Sequence, residues 1–311
     1  WCKLPSRKID IGLDVLSDLM KNPKFDPDEM DKERKVIFEE IKMYDDNPQM
    51  YSFQEIQKLL YAPPLGSSLI GTEKTLNSLT RKKILDRFSE VYNPNNMILC
   101  VIGDANIKKI IGFVEKEFPK KKGKIPSFKV ANKNGSKTEK REGIDQANLI
   151  FAYHVPKHSD KKSYAAFVLN TLMADGMSSR LFHEIRQKRN LAYAVRGSCQ
   201  IYKDFASNII YVGTKKENVN QIKKLILDEF EKVSKQLGEK ELDEVKEQII
   251  GNHQISTEES QSQMTALLLY EINGNAKQFY DFEKNIRNVK LSDVKKLAKI
   301  KKYSFFALVP K

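Results

Sequence analysis

The stretch Met173-Ala-Asp-Gly-Met-Ser-Ser-Arg-Leu-Phe-His-Glu-Ile-Arg-Gln-Lys-Arg-Asn-Leu-Ala-Tyr193 decides how this chain is read. Helical spacing over 164–173 and again over 178–189 gives way at Leu191 to a strand pattern that runs to Tyr202. Within the stretch a guanidinium and a phenol, Arg186 and Tyr193, stand seven positions apart. Taken alone, the two fit a structural account, with Arg186 paired to a carboxylate and Tyr193 filling core. The stretch also holds His183-Glu184-Ile-Arg-Gln187, one ligand short of a zinc-binding HExxH helix because Gln187 stands where the second imidazole is required.

Outward from this stretch, 147–153 and 206–213 read as strands. Helices are expected over 217–235, 239–254, 257–271, 276–287 and 291–300, before a closing strand at 305–309. The first half reads as helices over 9–21, from Asp26 to Tyr44 and from Thr80 to Val91. A short apolar strand, Met97–Ile102, and a helix marked by Ile107, Ile110, Ile111, Val114 and Phe118 follow. Asn47-Pro48 stops the second of these helices, and 62–66 is a loop. Residues 119–145 are Lys-rich and aperiodic and read as a linker with room for one strand at 127–130. The expected organisation is α+β, with a first domain over 1–118, the linker over 119–145 and a second domain over 146–311.

Composition narrows the function classes. The chain has 311 residues, enough for two domains with separate cores. Its 40% hydrophobic and 31% charged residues are a soluble globular balance, and no apolar run is long enough for a membrane span. The net charge of +13 is spread over helix faces, with one dense run at Lys120-Lys121-Lys122 and Lys124. Neither a basic stripe with interleaved aromatics nor a known nucleic-acid module is present, so nucleic acid is not an expected partner. Three scattered cysteines, Cys2, Cys100 and Cys199, form no CxxC pair and fit a reducing, cytoplasmic compartment. Of the four histidines, His154 and His158 have i, i+4 spacing, but Pro156 breaks the helix that would align them.

The helix from Asp26 opens with a capping signature: Asp26, Pro27 at its first position and Glu29 three residues on. Met30, Val36, Ile37, Ile41 and Tyr44 are expected on one face. Glu33 and Glu40, seven apart and about 20° out of register, are expected on that same face. Carboxylates pointing to a core need a cation, a shared proton or a metal. The plainer alternative is a pair at the stripe's margin that reaches water.

Several segments, taken in order, resemble the M16 family of metallopeptidases (insulinase and mitochondrial processing peptidase). Gly176-Met-Ser-Ser-Arg-Leu-Phe-His-Glu-Ile-Arg186 with Leu191-Ala-Tyr193 resembles the signature of the family's second domain. Glu33-Arg-Lys-Val-Ile-Phe-Glu-Glu-Ile-Lys-Met-Tyr-Asp-Asp-Asn-Pro48 resembles its distal-ligand helix, and Leu65-Gly66, Gly71–Leu79 and Tyr92–Met97 resemble the segments after it. The resemblance, closest to the processing-peptidase branch, implies two similar domains, each an antiparallel sheet covered by helices, facing each other as a clamshell around an unfolded peptide. It implies Glu40 as a zinc ligand and Glu33 as its support. Arg186 and Tyr193 become peptide contacts, roles that suit a carbonyl and a developing oxyanion. The remaining ligands and the general base belong to an inverted His-x-x-Glu-His motif, which the chain lacks. In the family that motif lies further ahead of the distal Glu than the 39 residues available here, so the resemblance places it upstream of Trp1. The expectation is a zinc endopeptidase, inactive as residues 1–311 alone, that dimerises with itself or another M16-like chain. The alternative is a non-catalytic subunit that binds peptide or scaffolds an active partner.

Overall fold

The computed structural model describes residues 1–119 and 123–311, so the Lys120–Lys122 run lies outside it. The described residues form two compact units, each discontinuous in sequence. Unit 1 gathers Trp1–Lys42, Ile70–Lys129 and Thr257–Leu268; unit 2 gathers Met43–Leu69, Val130–Ser256 and Leu269–Lys311. The division expected at 118 and 146 differs from these units, because each takes a segment from the half of the chain that mainly builds the other.

Unit 1 is helical. α1 (Ile9–Lys21) is followed by α2 (Pro27–Asp46), whose first N–H groups are capped by the Asp26 carboxylate, at 2.9 Å from Asp28 N and 3.3 Å from Glu29 N. After α3 (Pro48–Leu60), which belongs to unit 2, come α4 (Glu73–Asn77), α5 (Arg81–Val91) and α6 (Ile107–Glu117). Thr72, Thr80 and Asn106 cap α4, α5 and α6 through their side-chain oxygens. Arg81 donates to the carbonyls of Phe25 (2.8 Å) and Lys24 (3.1 Å), and Phe25 meets Phe88 edge-on at 5.7 Å, fixing the turn before α2 to α5. Met97–Ile102, expected as a strand, joins no ladder among the described residues.

The sequence reading missed α3. Asn47-Pro48 does end α2, but it also starts the next helix: Asn47 Oδ1 accepts from Gln49 N (3.1 Å) and Met50 N (3.0 Å), and Pro48 takes the first helical position.

Unit 2 is built on one five-stranded sheet. Its strands are β1 (Ser136–Arg141), β2 (Ala147–His154), β3 (Ala192–Ile201), β4 (Ala206–Thr214) and β5 (Ser304–Pro310), in the order β1-β5-β2-β4-β3. β5 runs parallel to β1, with Ser136 opposite Phe305, and antiparallel to β2, with Ile150 opposite Phe306. The sheet is therefore mixed, antiparallel apart from the β1–β5 pair, and it is the single sheet among the described residues. β1 falls inside the expected linker, whereas 127–130 forms no strand.

One face of the sheet is covered by α7 (Ser163–Ala174), α8 (Val219–Gln236) and α9 (Glu239–Ser256); Phe151, Leu169, Met173, Ile222 and Phe230 are buried there. α10 (Ser260–Asn273), α11 (Phe282–Arg287) and α12 (Leu291–Leu297) precede β5. The other face is covered by α3, through Ile56, Leu60 and Tyr61 against Ile150, Ile209, Phe306 and Leu308. Cover on both faces is why β2, β4 and β5 are buried along nearly their whole length and not at alternate positions.

α3 is also held by charge. Glu55, buried at the α3–β1 contact, accepts from Lys58 (2.5 Å) and Lys137 (2.8 Å), and Lys137 reaches Glu139 at 2.9 Å. Tyr51 donates to Glu139 at 2.9 Å beneath the Arg141 guanidinium, which lies 4.0 Å from its ring centre. Burial opposes ionisation of Glu55, but the Lys137 and Lys58 ammoniums outweigh it and hold its carboxyl below the ordinary range. Burial and the bond to Glu139 push Tyr51 up to about 12. A depressed carboxyl contributes stability that is present above its unfolded pKa and lost as pH falls through the folded one. Glu55→Gln should therefore cost about 1–3 kcal/mol at neutral pH, and the deficit should shrink below about pH 4. Urea unfolding at both pH values checks this; an equal deficit at each would show that charge is not the cause.

Candidate functional site

The stretch that carries Arg186 and Tyr193 spans a turn and an edge strand of unit 2. Where a plain helix was expected over 178–189, Phe182–Gln187 forms one wide π turn, closed by Lys188 N donating to His183 O at 2.9 Å. Leu181, Phe182 and Ile185 are buried in the core of unit 2, so the turn is anchored from within, and its extra width carries Arg186 to the outside. The chain then reverses at Asn190, whose φ of 51° is left-handed, a conformation Asn tolerates better than most residues. Asn190 N donates to Arg186 O (3.1 Å) and Leu191 N to Ile185 O (2.9 Å), tying the start of β3 back to the turn. Tyr193 sits at a β-bulge: Ala192 is opposite Thr214 and Ala194 opposite Gly213, which leaves Tyr193 without an opposite number. A bulge on an edge strand re-aims a side chain, and Tyr193 is 58% exposed.

The three arginines of this stretch have separate roles. Arg180 donates to Glu241 at 2.6 and 2.5 Å, and reaches buried Glu229 at 3.5 Å. Arg189 donates to the carboxylate of buried Glu184 and, at 3.0 Å, to its carbonyl; Lys188 completes the clasp at 3.0 Å. Burial opposes ionisation of Glu184, but Lys188 and Arg189 outweigh it and keep its carboxyl below the usual range. Arg186 has no carboxylate partner among the described residues; its guanidinium lies exposed, 5.0 Å from the Phe182 ring centre. The structural account, Arg186 in an ion pair and Tyr193 in the core, is thus corrected on both counts. Glu184, Arg189 and Asn190, which the sequence reading left aside, hold the turn. Their signal was a carboxylate five residues ahead of an arginine, with an asparagine just before a strand. His183 Nδ1 lies 2.6 Å from Gln187 Oε1, so the HExxH look-alike is a side-chain hydrogen bond on the turn.

α2 places Glu33 and Glu40 differently from expectation. No residue of α2 is buried, and both carboxylates are exposed. The half-buried stripe is Met30, Arg34, Ile37, Phe38, Ile41 and Tyr44. Glu33 and Glu40 each lie one position ahead of it, a rotation of about 100° that turns them to solvent. Neighbouring charges pair locally, Lys32 with Glu29, Arg34 with Asp31 and Lys42 with Glu39, while Glu33 and Glu40 have no basic partner among the described residues. Those residues hold no group of three or more His, Cys, Asp or Glu able to bind a metal ion. Glu40 is thus at most one ligand, and the described residues do not themselves fit a closed zinc site.

The family model of the M16 inactive domain (Peptidase M16 inactive domain) matches residues 78–249, and that of the insulinase family (Insulinase, Peptidase family M16) matches residues 2–73. Among relatives, the uncharacterized zinc protease YmxG of Bacillus subtilis is 30% identical over 85% of this chain and 66% of its own length. An uncharacterized zinc protease of Rickettsia felis is 30% identical over 81% of this chain and 62% of its own. The chain thus spans a little under two thirds of the length of these relatives. Among solved structures, a protease from Helicobacter pylori (22% identity, TM-score 0.87) covers 98% of this chain, which covers 77% of it. An M16 inactive domain from Pseudomonas fluorescens (21%, 0.85) covers 98%, and this chain covers 76% of it; at such identity these two matches concern the fold. With a family model spanning more than half its length, this chain belongs to peptidase family M16.

Proposed function

We propose that residues 1–311 are part of a zinc-dependent M16 endopeptidase that cleaves unfolded, presequence-like peptides, with Arg186 and Tyr193 binding the peptide backbone. The observation that carries this reading is the division of labour on the π turn. Arg180 is spent on Glu241 and buried Glu229 and Arg189 on buried Glu184, while Arg186 and Tyr193 are exposed and without an ion pair among the described residues, on an anchored frame. A planar fork and a phenol on such a frame are preorganised donors for peptide carbonyls. The inactive-domain match covers this half, and the insulinase match covers the half that holds Glu33 and Glu40. That split supports Glu40 as one zinc ligand and Glu33 as its support, with the other ligands outside residues 1–311. Dimerisation with a like chain and a cytoplasmic location belong to the same reading. No helix among the described residues is long and apolar enough to cross a membrane.

A second reading, a non-catalytic peptide-binding subunit, draws on the lack of a three-ligand cluster among the described residues. Both readings share the peptide contact and differ over Glu40.

Purified residues 1–311 should hold no stoichiometric zinc by elemental analysis and should not cut a quenched fluorescent peptide; stoichiometric zinc with cleavage would refute the assignment of the other ligands elsewhere. In a chain carrying the full ligand set, Glu40→Gln should abolish zinc retention, and retention unchanged would refute Glu40 as a ligand. Arg186→Ala and Tyr193→Phe should each weaken binding of an unfolded peptide by roughly tenfold in fluorescence anisotropy, with the melting temperature unchanged because both groups are exposed. Glu184→Ala should lose both binding and stability, and Asn190→Gly, which keeps the left-handed turn, neither.

A further inference from the structure

One end of the unit 2 sheet gathers positive charge that is dispersed in the sequence. β2 and β3 end there while β4 and β5 begin, since Ser207 lies opposite His154, Ala206 opposite Ile201 and Ser304 opposite Ala152. Three connections meet at that end: 155–162 after β2, the 202–205 turn between β3 and β4, and 298–303 before β5. They carry Lys157, Lys161, Lys162, Lys203, Lys299, Lys301 and Lys302, all exposed, against two aspartates, Asp160 and Asp204. Asp160 is turned to the backbone, where it accepts from Lys162 N at 2.8 Å. None of the seven ammoniums has a carboxylate partner among the described residues, whereas elsewhere in unit 2 Lys137, Lys188, Lys232 and Lys235 each have one. The opposite end of the same sheet mixes signs: Glu142 holds Lys311 at 2.6 Å, Glu184 holds Lys188 and Arg189, and Glu217 adjoins Lys215 and Lys216. From β5 to β3 is three strand spacings, about 14 Å, so these charges act over less than two Debye lengths at physiological salt. Like charges so close repel one another, and an anionic partner relieves that cost.

We propose that this end of unit 2 docks on a membrane surface carrying anionic phospholipid, as a peripheral contact made by the lysines of the three connections. Two observations select a lipid surface over other polyanions. The connections hold seven lysines and no arginine; flexible point charges suit a diffuse field of headgroups, whereas a fixed phosphate or carboxylate partner is better met by the arginine fork. The aromatic rings nearest the lysines are also spent inside the fold, Tyr202 on Phe205 and Tyr303 on Phe151, each at 4.7 Å. Both pairs are at least half-buried, which leaves no free ring among them for a nucleic-acid base to stack on. The inference draws on the sheet end alone and not on the zinc or peptide sites, so it and the peptidase reading can fail separately.

The test is co-sedimentation of residues 1–311 with vesicles of phosphatidylcholine alone and with about one third phosphatidylglycerol, at about 0.1 M salt. The expected result is binding to the anionic vesicles only, with the partition coefficient falling about tenfold or more when salt is raised to about 0.5 M. Each lysine near an anionic surface is worth roughly fivefold, so Lys301→Gln with Lys302→Gln should weaken the partition by roughly 25-fold. Lys215→Gln with Lys216→Gln, the same loss of charge at the other end of the sheet, should leave it within about twofold. All four side chains are exposed, and an unchanged melting temperature shows that each double variant is folded. Failure to bind anionic vesicles at low salt overturns the proposal. So does an equal loss in the two double variants, which would make the binding a property of net charge. Polyglutamate and duplex DNA are run as rival polyanions; if either binds more tightly than the anionic vesicles and loses the same factor in the 301/302 variant, the partner is not a membrane and the proposal falls.

Discussion

β5 enters the sheet of unit 2 between β1 and β2 and is hydrogen-bonded along both sides. A strand in that position has no free edge, and with helices on one face and α3 on the other it has no free face. Phe305 through Val309 are buried. Burying an apolar side chain of this size contributes about 1.5–3 kcal/mol, so β5 is a large share of what closes unit 2. The same geometry explains why Glu55 sits where it does. α3 crosses β5 and β1 and brings a carboxylate against Lys137, where burial without two ammoniums would be costly.

The far side of the sheet supports the candidate site. β3 is an edge strand paired to β4 alone, and the π turn before it is anchored by Leu181, Phe182 and Ile185 in the core. A rigid interior and an unpaired edge are complementary requirements. The interior fixes where Arg186 and Tyr193 stand, and the edge leaves them open to a ligand. Buried Glu184 and Glu229 each take an arginine, and this releases the third arginine of the stretch from structural duty.

Much of this was legible in the sequence, for reasons that differ by element. β2, β4 and β5 are dense apolar runs of strand length, and α8 and α9 have clear helical spacing, so local pattern sufficed. α3 escaped because Asn47-Pro48 carries both a stop and a start, and the stop was read alone. The exposure of Glu33 and Glu40 escaped because an apolar stripe marks a face only to within about one residue, and one residue turns a helix by about 100°. The π turn escaped because its width depends on the buried anchors and on Asn190, which are tertiary facts. Arg186 and Tyr193 were singled out by resemblance alone; without it the spacing favoured an ion pair and a core position. The exchange of segments between the units has no local signature, since it depends on which sheet face needs cover.

The contact between α3 and β5 also sets a timetable. Ser304 Oγ bonds to Leu59 O across 245 residues of chain, and synthesis at about 5–20 residues per second separates the two by roughly 12–50 s. Through that interval the apolar face of α3 and the inner edges of β1 and β2 are made but have nothing to close on. Unit 2 thus cannot close before β5 is made, and until then a nascent chain carries these apolar surfaces uncovered.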